Sequence, residues 1–341
     1  LGNNVTIDTN STTTNRADIT IGAVTGGSNT LTLTTENNVT GTDVIASGNI
    51  SGVTTLTLAS VGGTTTFAGD VDVTTLTIDN TVANVALNGD GSSVTNAVSF
   101  ANDGTLQLGD ATGDTLTFNG GLTTTSVGGT VTLNGEIETS NDAIVFGAVT
   151  LGSATTIDTD ASSNAGDITI AAITGGSNNL TLSTGNNIAG ADITASGAIS
   201  GLGNLTLADV GGTATFSNNV AAAALSADNT VANITFTGGT NTFSAASTLA
   251  NDGTLTFGDA TGDSFTFNGG LNTASVAGTV TLNTSISSSN DAMVFGAITL
   301  GNNVTLDTNA SSTTGDLTLG VVTGGSNTLT LSTGNNVANS D

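Results

Sequence analysis

Two carboxylates four residues apart in a glycine-containing turn can hold a calcium ion, and this chain has that arrangement twice. Gly109-Asp110-Ala-Thr-Gly-Asp114 returns as Gly258-Asp259-Ala-Thr-Gly-Asp263. Calcium takes about six to eight oxygens, drawn from carboxylates and carbonyls on a flexible loop. Asp110, Asp114, Asp259 and Asp263 are therefore the candidate metal ligands. Asn102-Asp103-Gly and Asn251-Asp252-Gly lie one strand earlier. The chain lacks both the Gly-Gly-x-Gly-x-Asp nonapeptide of calcium rolls and the loop of an EF-hand. The competing reading is that Asp and Asn end strands by bonding their own backbone turns. No cofactor is required on either reading, and Ca²⁺ is the one candidate.

Catalysis has little to work with. The chain has no His, no Cys and no Lys, and Arg16 is its only base. A lyase acting on acidic sugars needs a Lys or Arg base, and a glycoside hydrolase needs carboxylates converging in a cleft. The Asp110/Asp114 and Asp259/Asp263 pairs occur once per repeat, as turns do. The expectation is that the chain is not an enzyme. Outward Thr runs, such as Leu31-Thr-Leu-Thr-Thr and Thr54-Thr-Leu-Thr, raise ice binding, but Thr also fills any solvated strand. Asn-x-Ser/Thr triplets (Asn4, Asn38, Asn49, Asn204, Asn233, Asn303) are expected by chance in a chain this rich in Asn and Thr.

Charge narrows the partners. One base against 27 acids gives a formal net charge of −26. Nucleic acid and anionic membrane surfaces bind through Lys and Arg and are excluded as partners. Cations are the natural counter-charge. Apolar residues make up 36% of the chain, and they are patterned, which separates it from a disordered polyanion. No signal peptide, transmembrane run or lipidation motif is visible, so this segment is not expected to insert into a membrane.

The elements that would position these residues come from a repeat. Leu1-Gly-Asn-Asn-Val-Thr-Ile-Asp-Thr is echoed at Leu151 and again at Leu300. Past one extra residue near Arg16 the interval is 149 residues: Val24-Thr-Gly-Gly-Ser-Asn returns at Ile173 and Val322. The organisation reads as super-repeat 1 over 1–150, super-repeat 2 over 151–299 and the start of a third over 300–341. No linker marks the joins, so one continuous solenoid is expected. Leu1 falls inside the repeat and Asn335-Asn-Val-Ala-Asn-Ser-Asp stops mid-pattern, which reads as a segment of a longer chain.

Inside each unit apolar residues alternate with Thr, Ser or Asn: Val5-Thr-Ile7, Leu31-Thr-Leu33, Leu56-Thr-Leu58, Leu116-Thr-Phe118. Period two marks a strand with one buried face, and Gly and Asn punctuate between strands. No stretch carries a helical period. The bursts form two interleaved series, one through Leu33, Leu58, Ile78, Phe100, Phe118 and Leu133, the other through Ile21, Ile45, Phe67, Leu87, Leu108 and Val127. Each takes seven steps of roughly 21 residues per super-repeat, the size of one solenoid coil. The predicted fold is all-β, a right-handed parallel β-helix of about seven coils per super-repeat and about sixteen in all. At about 4.8 Å per coil, one super-repeat would advance roughly 34 Å. A short third strand per coil is expected near Val24, Ile50, Val71–Val73 and Val94.

Gly166-Asp-Ile-Thr-Ile, Asn179-Leu-Thr-Leu-Ser-Thr-Gly-Asn-Asn-Ile and Ala195-Ser-Gly-Ala-Ile-Ser-Gly-Leu-Gly-Asn-Leu-Thr-Leu resemble filamentous-haemagglutinin-type exoproteins and autotransporter passengers of bacteria. The resemblance covers the whole chain in style. It implies a right-handed β-helix, secreted and displayed on the cell surface as an adhesin or stalk. The 149-residue super-repeat and the near absence of bases depart from that pattern. The expected role is a structural segment of an extracellular or cell-surface fibre, its acidic coat open to cross-linking by divalent cations. Its partners would be neighbouring copies or the continuation of the same solenoid, with surface glycans as a further candidate. The alternatives, in order, are an adhesin, an ice-binding solenoid and a carbohydrate-active β-helix enzyme.

Overall fold

The computed structural model describes residues 1–311 and 315–334; the closing run Asn335–Asp341 lies outside the described residues. The chain divides into two compact units, Leu1–Asp160 and Ala161–Asp341. Each is a parallel β-solenoid, the two together hold about 15 turns, and no described residue is helical.

Alternation produces the strands as read. In Thr30–Thr34 the two Leu are buried and the three Thr are half-buried. Each such strand lies parallel to one a turn earlier and one a turn later. In the first unit Leu31 pairs with Val5 on one side and Leu56 on the other, and Leu56 pairs with Leu76. A lone strand of this length would not hold, but the stacked neighbours complete its hydrogen bonds and cover its apolar side.

Every turn has three strands, which gives the first unit three faces. The first face opens with Val5–Asp8, the second with Ile19–Ile21 and the third with Val24–Thr25. The short third strand falls where the sequence put it, at Val24, Ile50, Val71–Val73 and Val94. Partners on successive turns lie between 18 residues apart, as in Val131↔Val149, and 26, as in Val5↔Leu31. The total is about 15 turns where the spacing predicts about sixteen.

The two apolar series also mix faces. Leu33, Leu58, Ile78 and Phe100 do stack on one face, but Phe118 stacks on Val94 of the third. Leu133 pairs with Leu108 on the second face, and Ile45 points outward, 40% exposed. Alternation alone does not say which face a burst belongs to, because all three faces share it.

A consequence is that the super-repeat is not a whole number of turns. Val5–Asp8 lies on the first face. Its copy, residues 155–158, lies on the third: the outward positions there run Thr25, Ser51, Asp72, Ser93, Thr117, Glu138, Asp158 through consecutive turns. From the first strand to its copy the chain has made six turns and two strands. The second unit shows the same offset by itself. Leu180–Gly185 and its identical copy Leu329–Gly334 belong to different columns: Thr181 continues to Thr206, Ser226 and Thr248, whereas Ser332 continues back to Asp307, Ser287 and Thr266.

All 11 phenylalanines of the sequence are buried. In the second unit they stack on one another up the axis: Phe216 on Phe236 at 4.9 Å and Phe236 on Phe257 at 6.0 Å between ring centroids. Phe265 closes edge-on against Phe236 and Phe257. The corners need glycine where turns meet backbone to backbone. A Cβ on Gly62 would lie 2.3 Å from the Val39 carbonyl oxygen, and one on its copy Gly211 2.2 Å from that of Ile188.

Candidate functional site

The acids divide into those that recur between super-repeats and those that do not. Several of the recurring ones hold corners. Asp18 accepts a hydrogen bond from the Asp43 N–H at 2.9 Å, and Asp43 in turn accepts from the Thr64 N–H at 2.7 Å. Their copies Asp167 and Asp192 accept from Asp192 and Thr213 at 2.9 and 2.7 Å. Asn84 and Asn233 continue the same pattern, accepting from Thr105 and Thr254 at 2.8 and 2.9 Å. Each side-chain oxygen stands in for a backbone carbonyl at the entry to a strand, where the ladder would otherwise lose an acceptor.

The four predicted ligands sit in turns of this kind. The Asp114 carboxylate accepts from the N–H groups of Asp110 at 2.6 Å and Ala111 at 2.8 Å. Asp263 does the same with Asp259 at 2.9 Å and Ala260 at 3.0 Å. Asp114 is buried, and its own carbonyl receives the Glu136 N–H at 2.7 Å from the next turn. Above it Asn134 donates to the Gly109 carbonyl at 2.9 Å, as Asn283 does to Gly258 at 2.7 Å. Gly109 and Gly258 have φ of 71° and 74°, which favours glycine. The structure thus brings Asp110 to Asp114, and Asp259 to Asp263, through backbone N–H groups that one carboxylate of each pair accepts. Asp110 is exposed, and its carboxyl is raised above the usual range by partial burial, then by Asp114. Asn102 and Asn251 are fully buried one strand earlier, each donating its amide to three backbone carbonyls, so their side chains hold a corner as well. Among the described residues no three acids gather into one ligand set.

The acids without a copy form a different feature, and the sequence reading passed over it. Asp70, Asp72, Asp90, Glu136 and Glu138 of the first super-repeat correspond to Asn219, Ala221, Gly239, Ser285 and Ser287 of the second. Asp72, Glu138 and Asp158 share one outward column of the third face, and Glu138 pairs directly with Asp158. This runs against the expectation that like charges avoid stacking. Thr117 offsets it in part by donating to Glu138 at 2.5 Å. The Glu136 carboxyl is raised by burial first, then by Glu138 and Asp158, with a hydrogen bond from Thr115 opposing. Asp72 is raised by burial first and then by Asp70, with the Ser93 N–H opposing. The spacing of 21 residues from Ser51 to Asp72 to Ser93 was the available signal.

Asp72 also lines a concavity of the first unit. The groove has a volume of about 360 Å³ and runs along the corner between the third and first faces, over Gly52, Thr54, Asp72, Thr74, Ser93 and Thr95. Gly52 makes it: at φ 64° it inserts a bulge, and pairing slips between Ser51 and Val53. Against known protein families, curated proteins and solved structures the chain finds no match, so the reading of function rests on its own residues.

Proposed function

We propose that this chain is a structural segment of a long extracellular or cell-surface fibre of the filamentous-haemagglutinin or autotransporter-passenger style. The observation that supports this is what the recurring side chains do. Asp18, Asp43, Asn84 and Asp114, with their copies, accept backbone N–H groups at corners, and the recurring Leu, Ile, Val and Phe fill the core. Much of what the repeat retains therefore serves the coil. Stacked strands resist extension and proteolysis because each opening must break a turn's hydrogen bonds and uncover its apolar side together.

On this reading the neighbours are further turns of the same solenoid, and the working surface is the acidic coat. With a net charge of −26 the fibres repel one another at low salt, and divalent cations would draw them together through carboxylates such as Asp110 and Asp259. The test is electron microscopy of native surface material with the axial repeat determined. The expected result is a thin fibre with a spacing of about 4.8 Å and a modulation of about 32 Å, six turns and two strands at the strand spacing. Discrete short particles would refute it. Bundling on addition of calcium, absent in Asp110→Ala/Asp259→Ala fibres, separates cation cross-linking from the fibre itself.

A further inference from the structure

The groove at the Gly52 bulge is a concave, hydroxyl-lined surface that no corner requires. Its floor is Thr54, Thr74 and Thr95, all exposed; its wall carries Asp72 and Ser93, half-buried, on consecutive turns. The hydroxyls thus repeat along the axis at the coil spacing of about 4.8 Å. That is close to the rise of one sugar in an extended pyranose chain, so each turn can address one residue of a chain lying along the corner. Asp72 has no basic partner in reach, since Arg16 is the only base and lies in the connection between the first two strands. Its carboxylate lines the groove and offers acceptor oxygens there.

We propose that this groove binds a neutral linear polysaccharide, with Asp72 accepting hydrogen bonds from sugar hydroxyls and Thr54, Thr74, Ser93 and Thr95 completing the contacts. Neutral rather than acidic glycans follow from the charge: Asp70 lies two residues before Asp72 and acts on it as a like charge, and Arg16 is the only basic side chain of the sequence. The groove exposes no aromatic ring for a sugar to stack on, so single-site affinity is weak and use depends on many chains presented together. The second super-repeat is a built-in control. There the matching residues are Gly203, Ala221, Ala223, Thr242 and Ser244, so the carboxylate and two of the threonines are gone.

The experiment is titration of the 341-residue chain with cello-, xylo-, manno- and laminari-hexaose, followed by calorimetry and by amide chemical shifts. The expected result is one site per chain for at least one probe, with shifts at Thr74 and Ser93. Asp72→Ala should weaken it about tenfold or more, as loss of a charged hydrogen-bond acceptor does. Thr74→Val, which keeps the shape, should weaken it severalfold. Absence of binding by all four probes at millimolar concentration would overturn the proposal. So would two sites per chain, or binding indifferent to Asp72→Ala with the melting curve unchanged. The fibre reading survives each of those failures, since it does not use the groove.

Discussion

At the residue scale, the Asp114 and Asp263 carboxylates are keystones of their turns, and each accepts two N–H groups. Asp114→Ala removes the acceptor of two N–H groups at a turn whose other residues are exposed and is expected to cost about 1 kcal/mol in urea unfolding of the first unit. Asp110→Ala, whose side chain faces solvent, should cost less than about 0.5 kcal/mol. Titration gives a second check. Glu136, Asp72 and Asp110 all sit above the usual carboxylate range in the folded chain, raised by burial and by neighbouring acids. The folded state then holds more protons than the unfolded one between the ordinary and the raised values. These groups therefore destabilise at neutral pH, and the chain should gain stability as pH falls through that window. Glu136→Ser, which installs the residue found at Ser285, should raise the melting temperature at pH about 7 and flatten the dependence down to about pH 4.5. A melting temperature that falls steadily over the same range would contradict this. The sequence offered both readings of the Gly-Asp-Ala-Thr-Gly-Asp motif, ligand and turn. It could not separate them, because a carboxylate four residues downstream of its partner suits either, and only the backbone geometry shows which N–H groups it takes.

At the scale of the element, three-strand turns are held by what lies inside and by how closely corners meet. The Phe216, Phe236 and Phe257 rings form one stack in the second unit, and Phe265 closes edge-on against it. Phe265→Ala removes a ring buried between strands and is expected to cost about 3–5 kcal/mol, read as lost hydrogen-exchange protection in turns on either side. Gly211→Ala places a methyl where the Ile188 carbonyl stands, 2.2 Å away, so adjacent corners must separate. About 1–3 kcal/mol should follow, with protection lost first at the corner rather than in the strands. The strands were legible because Leu31-Thr-Leu33 and its kin alternate at period two. The assignment of strands to faces was not. Phe118 and Leu133 alternate like Leu58 and Phe100, and only pairing shows that they belong to other columns. That ambiguity put the total at about sixteen coils where the chain has about 15. The third strand, short at Val24–Thr25 and Ser93–Val94, was visible as isolated apolar residues.

At the scale of the whole molecule, the offset of the repeat bears on one candidate role, ice binding. A ligand that reads a flat lattice, as ice does, needs one face to carry the same side chains over many turns. Here the Leu-Thr-Leu-Ser-Thr-Gly strand at Leu180–Gly185 reappears at Leu329–Gly334 in another column. The Thr run of the first unit, Thr32, Thr57 and Thr77, gives way on its face to Ser99, Thr123 and Val145. Ice-growth assays are expected to show no hysteresis and no faceting, and hexagonal pits at micromolar protein would count against this account. The same offset has a genetic consequence. A gene made of near-identical blocks gains and loses them by unequal crossing-over. Because each block ends two strands into a turn, every such event would rotate whatever follows by a third of a circle, and only a change of three blocks would restore the original bearing. A lineage that relied on one flank would be punished by each slip in copy number, whereas one that presents its surface all round could drift in length freely.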